Sequence, residues 1–236
     1  DMDVVAWLMG CAPRRVASMG ERRFFRPENA PAGAPARCTD GCPAEATCPF
    51  YAPAAYLGQT TDWPVSVISL DKSFEARKRA LEEGPYGRCV FRCDNDVVDH
   101  QIVTAEFENG TMLNFTVSAC TASCYRTLRV VGSEGELHGR YDRSDLRIER
   151  FVQGVFPEIP TETHRVVAGE GSHGGGDWRV MRNCVRLIRE EDYAEAERSL
   201  EIAVDGHLLS FAAEAEQKQA DDVIAVLLRA VPYPAT

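Results

Sequence analysis

One stretch constrains the fold more than any other. Residues 97–108 alternate apolar and polar side chains, Asn109-Gly110 follows, and residues 112–119 alternate again. A period of two sends neighbouring side chains to opposite faces of a strand, and Asn-Gly accepts the positive φ that a tight hairpin turn requires. The segment predicts two antiparallel strands with one face on a core. Residues 126–131, 136–139 and 145–151 continue the pattern, with Ser133-Glu134-Gly135 as a turn. Residues 15–25 alternate in the same way nearer the start.

Helical spacing frames these strands. Val4, Val5, Leu8 and Met9 recur at helical intervals before Gly10. Ser73 is placed to cap a helix over residues 73–83, which Gly84-Pro85 would stop. After a glycine-rich stretch at 169–176, Asp177 is expected to cap a helix with Met181, Cys184, Val185 and Ile188 on one stripe. Ser199 is expected to open another, with Leu208, Phe211, Ala212 and Ala215 inward, and the apolar segment 221–230 reads as a third. Strands followed by helices predict an α+β fold: an open, mainly antiparallel β-sheet with helices packed on one face. The 236 residues fit one domain, 1–236, with an insertion at about 27–64 that is rich in Pro, Ala, Gly and Cys and lacks periodicity. A loop of that length is usually functional or pinned by something covalent or metallic.

Charge and hydropathy exclude several classes of partner. Lys and Arg number 26 against 36 Asp and Glu, a formal charge of −10, so neither nucleic acid nor an anionic membrane surface is expected. The longest apolar run, residues 223–228, falls far short of the ~20 residues of a membrane span. The first residues show no basic region or cleavage site of an export signal. The sequence opens inside a helical pattern without Met, which reads as part of a longer protein. Nine cysteines in a chain of this length, without a signal, point to thiols in the cytoplasm rather than to a disulfide framework.

Those thiols carry the first candidate site. Cys38, Cys42 and Cys48 are spaced C-x3-C-x5-C inside the insertion, and Cys89 and Cys93 repeat a C-x3-C. Four thiolates would form a closed structural zinc site able to hold a loop without its own core. The expected set is Cys38, Cys42, Cys48 and Cys93, with Cys89 as the alternative to Cys93. The spacing is not the usual C-x2-C knuckle, so disulfides and free thiols stay open. Cys11, Cys120, Cys124 and Cys184 read as buried small hydrophobes.

Two polar clusters carry the second. His173 to Asp177 joins an imidazole and a carboxylate through three glycines, which let a backbone approach a ligand closely. Asp94, Asn95, Asp96, Asp99 and His100 crowd the entry to the first long alternating strand. Such groups donate to and accept from paired hydroxyls. Plainer roles compete: Asp177 as a helix cap, His173 as a loop residue, His100 as a structural histidine, Asp94 and Asn95 as solvated loop. Tyr125 and Arg126 read as core packing and a surface ion pair.

Taken together, the opening DMDVVAWLMG, the pair RCVFRCDNDVVDHQIVTAEFENGTMLNFTVSA, the turn RTLRVVGSEGEL and the loop GSHGGGD resemble the second domain of the glucose–fructose oxidoreductase / inositol dehydrogenase (Gfo/Idh/MocA) family. The resemblance covers nearly all of the chain except the insertion at 27–64. It implies a C-terminal domain like that of glyceraldehyde-3-phosphate dehydrogenase, which carries substrate contacts and the oligomer interface. It implies a missing N-terminal Rossmann domain that binds NAD or NADP. No G-x-G-x-x-G stands here in the strand-to-helix setting of a βαβ unit. The family's catalytic lysine lies in the Rossmann half, and in its pattern HDxDxxxWLxG the histidine would immediately precede Asp1. No catalytic residue is carried over, and the chain alone is expected to be inactive. His173, Asp177, Asp96 and His100 are the expected contacts to a sugar, polyol or related carbinol. An NAD-dependent glycosidase of the same family and a non-catalytic binding or assembly domain are the alternatives. The sheet face is expected to pair with further copies of the chain.

Overall fold

The computed structural model describes residues 1–217 apart from 144, 155–157 and 168. The chain opens with α1 (Met2–Met9), closed where the Gly10 N–H donates to the Ala6 carbonyl at 3.0 Å, and continues into β1 (Pro13–Glu21). The helices α2 (Ala52–Tyr56) and α3 (Phe74–Glu83) precede β2 (His100–Phe107) and β3 (Met112–Ser118). Four further strands follow: β4 (Thr127–Val131), β5 (Gly135–Arg140), β6 (Asp145–Arg150) and β7 (Thr161–Arg165). The described chain ends with α4 (Gly176–Glu190) and α5 (Tyr193–Gln217). The α+β class and the antiparallel pairing are as the alternation implies, and the strands divide into a sheet of three and a sheet of four. The division falls where the alternation lapses, between Ala119 and Arg126.

The chain separates into two compact units. One comprises Cys11–Cys120 with Met2 and the chain from Leu208; it holds the sheet ordered β1-β2-β3. Val103 lies opposite Ser18 on one side and Phe115 on the other. The buried residues of β2 are Val103, Ala105 and Phe107, while Ile102 and Thr104 between them are exposed. The sequence period is thus the burial period. Gly110, at φ 80°, turns the hairpin where a side chain would be strained, and the Phe107 N–H donates to the Thr111 carbonyl at 2.9 Å.

The insertion at 27–64 packs into buried clusters that it shares with the segments before and after it. Phe24, Phe25, Phe50 and Phe91 all touch one another, with ring centroids 5.1–6.0 Å apart in edge-on or tilted arrangements. Ala34, Cys42, Cys89 and Phe91 are buried beneath them. A second cluster buries Cys38, Ala52 and Leu81. Arg77 is buried beside α2, where its guanidinium donates to the carbonyls of Tyr56, Gly58 and Lys72 at 2.5, 3.0 and 3.1 Å. It ends carbonyls that no helix or strand partner reaches. Ser73 caps α3 as expected, its Oγ accepting the Ala76 N–H at 3.3 Å.

The other unit comprises Asp1, Asp3–Gly10 and Thr121–His207 and holds the sheet β4-β5-β6-β7. Val130, Leu137 and Ile148 lie abreast, as do Leu128, Gly139 and Leu146, so one face is apolar across β4, β5 and β6, while β7 adds Glu162 and His164 to it. Its opposite face carries Arg129, Glu136, His138 and Glu149, where Arg129 donates twice to Glu136 Oε2 at 2.8 and 2.9 Å. The strand β7 was not expected. Its sequence, TETHR, has no apolar residue, so no alternation betrays it.

The helices need three corrections. Gly175, not Asp177, caps α4, and Asp177 lies in the first turn. The helix α5 begins at Tyr193 rather than Ser199, and Asp192 Oδ1 accepts the Glu195 N–H at 3.2 Å. Of the residues expected inward, Ala215 is buried, Leu208 and Ala212 are half-buried and Phe211 is 48% exposed, while Leu209 and Ala213 are buried in their place. The apolar segment 221–230 lies outside the described residues.

Leu81 is fully buried, whereas Phe74 in the same helix is half exposed. Leu81→Ala should lower the unfolding free energy by about 2–5 kcal/mol in urea denaturation. Phe74→Ala should cost less than about 1 kcal/mol. Equal losses would contradict the packing.

Candidate functional site

The entry to β2 is built around Asp99. Residue 99 is in phase with Val103, Ala105 and Phe107, so the alternation sends its carboxylate to the buried face, where it is 5% exposed. A buried carboxylate needs partners. Oδ2 accepts the backbone N–H groups of Phe24 and Phe25 at 2.7 and 3.0 Å. Oδ1 lies 2.8 Å from Nδ1 of His100. Burial pushes the Asp99 carboxyl up, but the hydrogen bonds from His100 and from the amides of Phe25, Arg23 and Phe24 outweigh it. The carboxyl is held well below the usual carboxylate range. It is therefore ionised and can only accept, so His100 donates from Nδ1 and turns Nε2 outward as the group left for a ligand.

An open depression of about 620 Å³ lies there, lined by Arg23, Phe24, Asn29, Asp99, His100, Ser118 and Cys120. Asn29 donates to the carbonyls of Arg23 and Phe24, both at 2.9 Å, and fixes the loop that carries the Arg23 side chain. Cys120 is exposed at the rim. Desolvation of its sulfur and the Asp99 charge both raise its thiol, so it stays protonated and is a poor nucleophile. A guanidinium, an imidazole and a hydroxyl around one depression can hold hydroxyl or carboxylate groups.

The second cluster forms in the four-stranded unit. His173 Nδ1 lies 2.9 and 3.0 Å from the two Asp177 oxygens. His173, Gly174 and Gly175 take successive φ values of 52°, 63° and 80°, a left-handed run that rolls the backbone into α4. A side chain at Gly175 would stand 3.0 Å from Gly169 Cα, so the loop closes tightly on itself. Both His173 and Asp177 are exposed, at 81% and 62% of their side chains. The literal spacing G-x-G-x-x-G does occur, at Gly169, Gly171 and Gly174, just after β7. Its setting is wrong for a dinucleotide site. β7 pairs antiparallel with β6, and among the described residues no parallel strand follows α4.

The expected residues thus fall into two pairs. His100 is held by Asp99, and His173 by Asp177, while Asp96 is exposed in the loop before β2. Arg126 forms the surface ion pair expected of it, with Asp1 at 2.5 Å. Tyr125 is 47% exposed rather than core, its ring 3.9 Å from the Arg140 guanidinium. Asp99 itself was no more than one member of a polar run in the sequence. The signal that singles it out is phase, a carboxylate on the buried register of an alternating strand.

Of the thiols, Cys38, Cys42 and Cys89 are buried and Cys48 and Cys93 half-buried. Cys120, Cys124 and Cys184, expected in the core, are exposed. Cys120 and Cys124 follow the end of β3, and Cys184 lies on α4, which buries none of its residues. Among the described residues no group of three or more His, Cys, Asp or Glu is arranged to hold a metal ion. No described helix is long and apolar enough to cross a membrane.

No protein-family model matches the chain. A distant relative does. The chain is 22% identical over 186 residues to a Bacillus subtilis (strain 168) protein named "Putative oxidoreductase YteT". The match covers 74% of this chain and 42% of that relative, so the chain spans less than half of the relative's length. The chain has a general relationship to oxidoreductases.

Because the Asp99 carboxyl titrates lower folded than unfolded, it stabilises the fold above the unfolded value near 3.9 and loses that contribution as the pH falls from there. Asp99→Asn should cost about 1.5–3 kcal/mol at pH 7. The gap from the unmodified protein should narrow steadily as denaturation is repeated below about pH 4. A gap independent of pH would contradict an ionised, hydrogen-bonded Asp99.

Proposed function

We propose that this chain is the substrate-binding part of an NAD(P)-dependent dehydrogenase acting on a sugar, polyol or related carbinol. The observation that carries the reading is the imidazole of His100, fixed by Asp99 at the mouth of an open depression that also presents Arg23 and Ser118. The distant similarity to an oxidoreductase supports it. NAD or NADP, bound by a separate Rossmann half, would accept the hydride from the carbinol carbon. This chain's share is to bind and orient. His100 Nε2 meets one hydroxyl, Ser118 a second, and Arg23 accommodates an oxygen of either kind. In the other unit, His173 and Asp177 form a separate pair able to contact hydroxyls, presented on a loop of fixed backbone.

The chain by itself should reduce neither NAD nor NADP with any carbinol, yet should bind the ligand that the complete enzyme oxidises. Calorimetry with a panel of hexoses, inositols and alditols should find that ligand, and His100→Ala should weaken it by about tenfold or more, the equivalent of about 1.4 kcal/mol. Binding that ignores both His100→Ala and His173→Ala would contradict the assignment of these residues.

We also propose that a second copy covers the apolar face of the four-stranded sheet. Leu128 and Val130 are 39% and 37% exposed on that face. The stripe of Trp178, Met181, Val185 and Ile188 on α4 is likewise exposed. Sedimentation at micromolar concentration should give a dimer or larger species, and a monomer would contradict this.

A further inference from the structure

Four thiols from two distant segments lie in or against two buried clusters that share Tyr51: Cys42, Cys89 and Cys48 in one and Cys38 in the other. Arg37 and Arg88 form an isolated antiparallel bridge. Around it the Cys38 N–H donates to the Gly87 carbonyl and the Cys89 N–H to the Ala36 carbonyl, both at 2.9 Å. In that register Cys38 and Cys89 are diagonal neighbours on one face, a separation of about 7–8 Å that side chains can span. Past Cys42 the chain turns twice. The Glu45 N–H donates to the Cys42 carbonyl at 3.2 Å and the Cys48 N–H to the Ala44 carbonyl at 2.8 Å, which returns Cys48 towards Cys42. Cys42 and Cys89 are buried in one cluster, and Cys48 packs against it. Tyr51 packs against both the cluster that holds Cys42, Cys48 and Cys89 and the one that buries Cys38. Cys93 is half-buried, its Sγ donating to the Cys89 carbonyl at 3.3 Å.

We propose that Cys38, Cys42, Cys48 and Cys89 form a closed, four-thiolate zinc site that fastens the insertion to the segment leading into β2. The backbone brings the four together, and rotation of the thiols among their staggered positions completes the coordination that the present side-chain positions lack. The surroundings suit a soft, structural ion. Phe25, Phe50, Phe91 and Ala34 wall the cluster. Each cysteine gives up its thiol proton as the metal binds, so zinc is held less tightly as the pH falls. The site also gives a physical reason for an insertion of this length. A segment rich in Pro, Ala and Gly has little periodic apolar surface to bury, and a metal supplies the missing tie.

The test is zinc content, thiol count and cobalt spectrum on the whole chain. Protein purified without chelator should hold about one zinc per chain. Of its nine cysteines the five outside the set (9 − 4 = 5) should react with a thiol reagent in the native state, and all nine after denaturation with chelator. Cobalt in place of zinc should give the visible bands of a tetrahedral thiolate site and the intense ultraviolet thiolate charge-transfer band. Cys89→Ser should lower the zinc content about tenfold or more, while Cys93→Ser should leave it unchanged. The cobalt spectrum of the unmodified chain reads the site even if a variant fails to fold. Protein that takes up neither metal overturns the proposal. So does a mass lower by two hydrogens per disulfide with thiols missing after denaturation. Zinc lost in Cys93→Ser but kept in Cys89→Ser would overturn the ligand set.

Discussion

The carboxylate of Asp99 is the junction on which the three-stranded unit depends. It sits at the start of β2, and the Asp99 N–H donates to the Glu21 carbonyl at the end of β1. Its side chain holds the amides of Phe24 and Phe25, where the chain leaves the sheet and enters the insertion. One ionised group therefore joins the sheet, the aromatic cluster that begins at Phe24, and the imidazole of His100. Removing a single partner from a buried, hydrogen-bonded charge leaves the others unsatisfied, which is why such a group sets the position of everything it touches. The orientation of His100 follows from this, and so does the shape of the depression in front of it.

The insertion poses the opposite problem. It has no strand or long helix to anchor it, yet it buries Ala34, Cys38, Cys42 and Ala52. Aromatic rings, one two-residue bridge and a buried arginine that ends three carbonyls supply the order. The thiols stand where these devices converge. The candidate site and the devices that stabilise the insertion are thus neighbours in this unit, since the loop that carries Arg23 and Phe24 to the depression leads directly into the segment the cysteines would secure.

Much of this was legible in the sequence, for identifiable reasons. The alternation over residues 97–119 and the Asn109-Gly110 turn predicted β2, β3 and their pairing, because a half-buried strand must alternate. Ser73 predicted the start of α3 because its hydroxyl had an amide to cap. The strand β7 escaped because TETHR has no apolar side to show, and α5 began early because Asp192 was a cap not recognised as one. The break between two sheets could not be read from strands that are all antiparallel. At the two candidate clusters, one in each unit, His100 and His173 stood out by residue type. Their partners differed in visibility: Asp177 was apparent beside the three glycines that follow His173, whereas Asp99 had to be told from Asp94 and Asp96 by the phase of the strand. Cys89 and Cys93 look equivalent in spacing, and only the Arg37–Arg88 bridge separates them.

The most direct test of the account is to follow the imidazole nitrogens of the five histidines by NMR during titration with a panel of hexoses, inositols and alditols. The account predicts a saturable shift of His100 Nε2, with its Nδ1 still bearing the proton donated to Asp99 and with His138, His164 and His207 unmoved. A His100 resonance that stays in place while ligand binds elsewhere would contradict it.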